Sequence, residues 1–179
     1  MKRLVAVETT TGTTSVALFE DDVLVASLSR EAKGDACLPM IDELLSSRGL
    51  SARDVRRWAV DVGPGSFTGV RVGLSTVKGI AFATGAEVVG VNAFDALATD
   101  DATVILEAGK GEVYFRVRGE LGHAPLDVVK TMIGAERVIG PGVIPTAEGV
   151  GRVALSRPPS DLDTLEPMYV RAPDLTKPR

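Results

Sequence analysis

With 179 residues, one cysteine and one histidine, the chain has room for one ordinary domain or two small ones, and for a core that needs no disulfide. Cys37 has no partner cysteine, which excludes an intrachain disulfide and fits a reducing cytosol. The formal net charge is −4, no apolar run reaches the ~18 residues of a membrane span, and Met1-Lys2-Arg3-Leu4 leads straight into a strand pattern; a cytoplasmic protein without membrane contact is expected, one that does not hold nucleic acid alone.

Leu4-Val5-Ala6-Val7-Glu8-Thr9-Thr10 reads as a largely buried strand, and 14–20 alternates as a second, after a turn at Gly12. Asp21-Asp22 makes the next turn and 23–29 a third strand, giving an antiparallel meander. A helix is predicted over 35–48, with Asp35 as N-cap, Pro39 in the first turn, Cys37, Met40, Ile41, Leu44 and Leu45 on one face, and Gly49 as its end. A short capped turn at 51–54 leads to a strand over 58–62. After a glycine-rich loop, a helix over 68–84 carries the stripe Val70, Leu74, Val77, Ala81. A fifth strand over 87–91 and a short helix over 93–98 capped by Asn92 precede a boundary at Asp100-Asp101, which divides the chain into units 1–100 and 101–179. Beyond it, 103–107 and 112–118 flank a hairpin turn, 128–133 and 137–139 read as short strands or a short helix, Pro158-Pro159 marks a linker, and 168–171 a closing segment.

The order β-β-β-α-β-α-β over 4–91 is that of the ribonuclease H-like, actin-like ATPase folds, an α/β class with a mixed sheet. There the turn after the first strand approaches a nucleotide phosphate; here it would offer Glu8, Thr9 and Thr10, with Glu8 holding Mg²⁺. The simpler reading, a solvated charge at a strand end, is favoured for Glu8. Gly63-Pro64-Gly65-Ser66-Phe67-Thr68-Gly69 fits neither the P-loop nor G-x-G-x-x-G, so a tight strand-to-helix turn competes with an anion cradle. One His and one Cys cannot make the usual zinc or iron constellations; His123 reads as an exposed loop residue and Cys37 as core. The arginines 53, 56 and 57 and the pair Lys177 and Arg179 read as solvated surface. Gly69, Gly73, Thr76 and Ala83 leave one side of the second helix small, so a partner or a second copy of the chain could approach it closely. Arginine at Gly69 or Gly73 is then expected to block pairing while leaving the monomer folded.

The run 62–73, continuing through Lys78-Gly79-Ile80-Ala81, resembles the signature of the bacterial TsaB (YeaZ) family. Glu8-Thr9-Thr10, Thr14-Ser15-Val16-Ala17, Leu38-Pro39, Gly111-Glu112-Val113-Tyr114 and the closing Glu166-Pro167-Met168-Tyr169-Val170-Arg171 match as well. The resemblance implies an actin-like fold with a reduced second subdomain, and a non-catalytic subunit in making threonylcarbamoyladenosine at tRNA position 37. It implies pairing with the metal-bearing transferase TsaD, joined by the ATPase TsaE, with tRNA held by the complex. It also implies no tightly bound cofactor, with ATP or ADP at most at the subunit interface, and a homodimer when isolated. The TsaD contact would fall on the two helices, with Met40, Leu44, Gly69, Val70, Arg71, Gly73, Leu74 and Val77 as its residues. The chain departs from the family at Glu8 (commonly Asp), Lys33 (often His) and Gly109-Lys110 (often Arg), and is short around 119–165. A stand-alone actin-like ATPase or kinase, using Glu8 and the following turn, is the rival; a peptidase is disfavoured because there is no second histidine.

Overall fold

A run of four buried residues, Leu4 to Val7, makes β1 (Arg3–Glu8) the centre of the first sheet. The structure, a computed structural model, describes residues 1–32 and 36–170. Antiparallel β2 (Thr13–Glu20) and β3 (Val23–Glu31) lie on one side of β1, and parallel β4 (Arg57–Asp61) and β5 (Glu87–Val91) on the other, in the order β3-β2-β1-β4-β5. This is the actin-like, ribonuclease H-like sheet.

Side chains alternate across a strand, so β1 feeds two cores. Val5 and Val7, with Val16, Leu18, Trp58 and Val60, face α1 (Cys37–Ser46) and α2 (Phe67–Thr84). Leu4 and Ala6, with Ala17, Phe19 and Ala59, face Val150, Val153 and Ala154 of the last helix, α5 (Ala147–Ser156). Both faces are covered, which is why β1 reads as an unbroken apolar run. Cys37, Met40, Ile41, Leu44 and Leu45 are the buried face of α1, with Pro39 in its first turn. The expected cap Asp35 and the departure Lys33 lie outside the described residues, as do 171–179. Helix α2 starts at Ser66, whose hydroxyl accepts from the Gly69 N–H (3.2 Å), and ends at Gly85 in the left-handed region.

The second sheet has the order β8-β7-β6-β9, from β6 (Thr103–Gly109), β7 (Glu112–Val117), β8 (Glu120–Pro125) and β9 (Val138–Ile139). Helix α4 (Leu126–Met132) covers one face, where Val129 meets Ile105, Val113, Phe115 and Val117. On the other face Val104 and Leu106 meet Phe94 of α3 (Ala93–Leu97), which Asn92 caps. The ambiguous segments thus resolve as a helix, α4, and a two-residue strand, β9. The sheets divide on either side of residues 100–101, but α5 returns to the first sheet. The expected second unit over 101–179 is therefore not self-contained.

After α5 the chain forms a strap. Ser160 N–H donates to the Val88 carbonyl (2.7 Å), Gly90 N–H to the Ser160 hydroxyl (3.1 Å), and Met168 N–H to the Val62 carbonyl (2.7 Å). The strap covers the open edge of β5, which would otherwise template strand pairing. Asp95 of α3 joins the parts: it accepts from Arg116 of β7 (2.7 Å) and from Arg157 at the strap's start. Asp95→Ala leaves two partly buried guanidinium groups without their carboxylate and is expected to cost about 2 kcal/mol. A urea midpoint equal to that of the wild type would refute this link.

Candidate functional site

The turn after β1 and the glycine loop after β4 face each other, because β1 and β4 run parallel with Val7 opposite Val60. Glu8 and Asp61 end these strands, and both are fully buried. The solvated reading of Glu8 is therefore overturned: its neighbours make it a core carboxylate. Glu8 Oε1 accepts from the Thr10 N–H, the Thr10 hydroxyl (2.8 Å) and the Thr11 N–H (3.2 Å). Its Oε2 is buried and makes no hydrogen bond. Asp61 accepts from the Gly63 N–H (2.7 Å), and the Thr10 hydroxyl lies 3.3 Å from its other oxygen.

Burial pushes the Glu8 carboxyl up to about 7, against the opposing pull of its hydrogen bonds from Thr10 and Thr11. Burial first, and then the nearby Glu8, hold Asp61 well above the usual carboxylate range. A protonated Asp61 can donate to the Thr10 hydroxyl, which donates in turn to Glu8. With Glu8 ionised, the pair then carries one negative charge rather than two, and Glu8 Oε2 still lacks a hydrogen bond.

The loop and the turn are pressed backbone to backbone. Ser66 N–H donates to the Thr10 carbonyl (2.6 Å), and the Thr9 hydroxyl donates to the Gly69 carbonyl (2.7 Å). A Cβ at Gly65 would fall on the Thr10 carbonyl, and one at Gly69 on the Thr9 carbonyl. The motif loop, Gly63, Pro64, Gly65, Ser66, Phe67 and Thr68, is thus the seat of the first turn. In a phosphate-binding turn the backbone N–H groups point at the phosphate. Here the N–H groups of Thr10 and Thr11 point at Glu8, an anion supplied by the chain itself.

Outside this contact lies a cleft of about 340 Å³ between the two sheets. Thr10, Thr11 and Gly12 line one wall, with Pro64 and Gly65; Leu106, Glu107, Gly109 and 142–145 line the other. Its one charged lining residue among those described is Glu107, a carboxylate that repels phosphate.

Of the eight residues expected at a partner face, seven are buried within the chain: Met40, Leu44, Gly69, Val70, Gly73, Leu74 and Val77. Their stripe is the core-facing one, and only Leu74 among them also reaches a surface groove, the one beside Arg71 and Lys78. Arg71 alone is exposed. The outward residues of the same helices include Leu38 (56% exposed), Thr68, Ser75, Gly79 and Phe82 (84% exposed). Helical periodicity finds the stripe but does not say which stripe faces the sheet.

Neither remaining nucleophile candidate is poised for chemistry. His123 is not in an exposed loop: it lies on β8 opposite Tyr114, its Nε2 3.1 Å from Glu112. Nothing in Gly122-His123-Ala124-Pro125 announced that strand. Cys37 is buried, and burial pushes its thiol up to about 11. Among the described residues no three His, Cys, Asp or Glu side chains gather as a metal site, and no helix is long and apolar enough to cross a membrane.

The sheet order, with its first turn closed on an internal carboxylate, defines the class: an actin-like, ribonuclease H-like fold. A profile of the family TsaD, tRNA N6-adenosine threonylcarbamoyltransferase, matches residues 27–143. The tRNA threonylcarbamoyladenosine biosynthesis protein TsaB of Haemophilus influenzae is 33% identical, over 67% of this chain and 58% of that protein. Its namesake in Escherichia coli is 34% identical, over 63% and 53%. The solved structure of YeaZ from Pseudomonas aeruginosa superposes with a TM-score of 0.74 at 23% identity, covering 94% of this chain and all of that one. The chain belongs to the TsaB (YeaZ) family, within the TsaD-related proteins. It spans about half the length of these curated TsaB relatives.

Proposed function

We propose that the chain is a non-catalytic subunit in threonylcarbamoyladenosine synthesis on tRNA, pairing with a TsaD-type transferase that carries the metal and does the transfer. One observation carries the non-catalytic part: the backbone donors a phosphate would need are spent on Glu8. Among the described residues the cleft lining holds no lysine or arginine, which supports it. In this reading ATP or ADP belongs to the junction with the partner, TsaE joins there, and tRNA is held by the complex.

The partner face is the outer surface of α1 and α2. Leu38 and Phe82 are large apolar side chains left in water, and Gly79, one turn before Phe82 on α2, has no atom within 4 Å of where a Cβ would be. Such a surface suits close helix-on-helix approach, by a TsaD subunit or, in isolation, by a second copy. Phe82→Glu and Leu38→Glu are each expected to weaken pairing with TsaD at least roughly tenfold, with the monomer still folded. Unchanged dissociation constants in both, read by calorimetry, would remove this face from consideration. The function itself is tested by reconstituting tRNA modification from purified TsaD, TsaE and TsaC, the separate enzyme that makes the threonylcarbamoyl adenylate, with and without the chain. Equal product without it contradicts the proposal. Tight, magnesium-dependent ATP binding and turnover by the chain alone would instead favour the ATPase or kinase reading.

A further inference from the structure

A groove of about 520 Å³ runs between α2 and the strap, lined by Arg71, Leu74, Lys78, Leu165, Pro167 and Tyr169 among others. It adjoins the outer face of α2 at Ser75, and Arg71 is fixed there by two aromatic side chains. Its guanidinium lies over the Phe67 ring, 3.8 Å from the centroid, and its Nε donates to the Tyr169 hydroxyl (2.9 Å). Tyr169 in turn packs on Phe67, with ring centroids 5.5 Å apart. The stack and the Nε bond fix the plane of the guanidinium and leave its two terminal nitrogens to face a ligand. A planar, immobilised arginine of this kind takes an oxyanion with two parallel hydrogen bonds.

Lys78 stands two helical turns further along α2, about 10 Å away. Its ammonium donates to the Leu165 carbonyl (3.2 Å), which anchors it and leaves two donors over. Neither cation forms an ion pair among the described residues. The one carboxylate in the lining, Glu166, is exposed and pairs with neither. A chain of net charge −4 therefore keeps two prepositioned, unneutralised cations in one groove, with the apolar surfaces of Leu165 and Pro167 between them.

We infer that the α2–strap groove is a docking site for an extended acidic segment of a partner protein. In a polyproline II-like segment, carboxylates three residues apart lie on one face about 9 Å apart, which matches Arg71 and Lys78. Leu165 and Pro167 take the apolar side chains in between, and the guanidinium takes one carboxylate in the manner of acidic-motif readers. RNA fits less well. A single strand needs successive free aromatic faces to stack on, and here Phe67 is covered by Arg71, which leaves Tyr169, packed on Phe67 by one face, as the single partly open ring.

The test is amide chemical-shift mapping on the full chain with three probes: a short peptide repeating Glu-Pro-Pro, its Lys-Pro-Pro counterpart, and oligouridylate. Shifts confined to 71–78 and 165–169, with the acidic peptide alone, are expected. Arg71→Gln, and Lys78→Gln, which keeps a donor for the Leu165 carbonyl, are each expected to weaken that response at least roughly tenfold while the rest of the spectrum stays in place. No response to millimolar acidic peptide, shifts that survive both substitutions, or a stronger response to the RNA would overturn the inference. The probes do not depend on TsaD, so a silent groove in a chain that still pairs with TsaD sinks this inference alone. A responsive groove in a chain that fails to pair sinks only the proposed function.

Discussion

Alanine at Gly69 is expected to destabilise the fold by roughly 3 kcal/mol or more, and arginine there to leave no folded monomer. Two effects oppose each other. Replacing a helical glycine by alanine gains about 1 kcal/mol in backbone propensity. Against that, the new Cβ would sit on the Thr9 carbonyl, which is backbone, and that carbonyl belongs to a turn held by Glu8 and by the Ser66 N–H. Moving the turn breaks those bonds, so the clash wins. Gly79 is the internal control on the same helix. It is exposed, nothing lies within 4 Å of its Cβ position, and Gly79→Ala should stabilise by about 0.5–1 kcal/mol. Urea midpoints of the two variants should therefore move in opposite directions. Shifts of the same sign would show that the turn yields easily. The arginine substitutions expected to disturb only a partner would thus disturb the chain itself, because Gly69 and Gly73, unlike the exposed Ala83, face inward onto Thr9.

That reversal shows where sequence pattern stops. The five strands of the first sheet and both long helices were legible because each was an apolar run or a period-2 or period-3.6 pattern with a recognisable stop, and the Asn92 cap because an Asn precedes a short apolar helical segment. Helix α5 was not. Gly149 and Gly151 lower its helical signal, and they are there for packing: a Cβ at Gly149 would meet the Ala96 carbonyl and one at Gly151 the Phe19 ring. β8, Glu-Leu-Gly-His-Ala-Pro, has no alternation to read. At the site, the sequence identified the residues of the first turn and the glycine loop, but not that they touch. Glu8 is 53 positions from Asp61, and only the parallel pairing of β1 with β4 brings them together. The missed functional residue is Asp61, whose one signal was an acidic side chain ending an otherwise apolar strand. Lys78 and Tyr169 were quoted as motif letters, and the groove they share exists only once the strap has folded back onto α2.

The buried carboxylates also fix how stability should depend on pH. Glu8 titrates at about 7 in the folded chain, against an ordinary value of 4.5. Between those values the folded state holds a proton that the unfolded chain has released, so stability falls as pH rises. The contribution is complete below about 4.5, declines through the window up to about 7, and is flat above it, a total on the order of 3 kcal/mol. Asp61 is raised from its own ordinary value for the same reason, so its sign is the same and it prolongs the decline. Exposed carboxylates held low, such as Asp54 and Asp100, act in the opposite sense but only at more acidic pH. Glu8→Gln keeps an oxygen to accept from Thr10 and Thr11 and removes the titration. Its stability should fall less steeply between pH 5 and 7 than the wild type's, the remaining decline being that of Asp61, and the two curves should cross so that the variant is the more stable protein at pH 8. Parallel urea-unfolding profiles for the two proteins across that range would mean that Glu8 is charged throughout. The raised titration of Glu8 would then have to be abandoned, while a protonated Asp61 beside an ionised Glu8 would still stand.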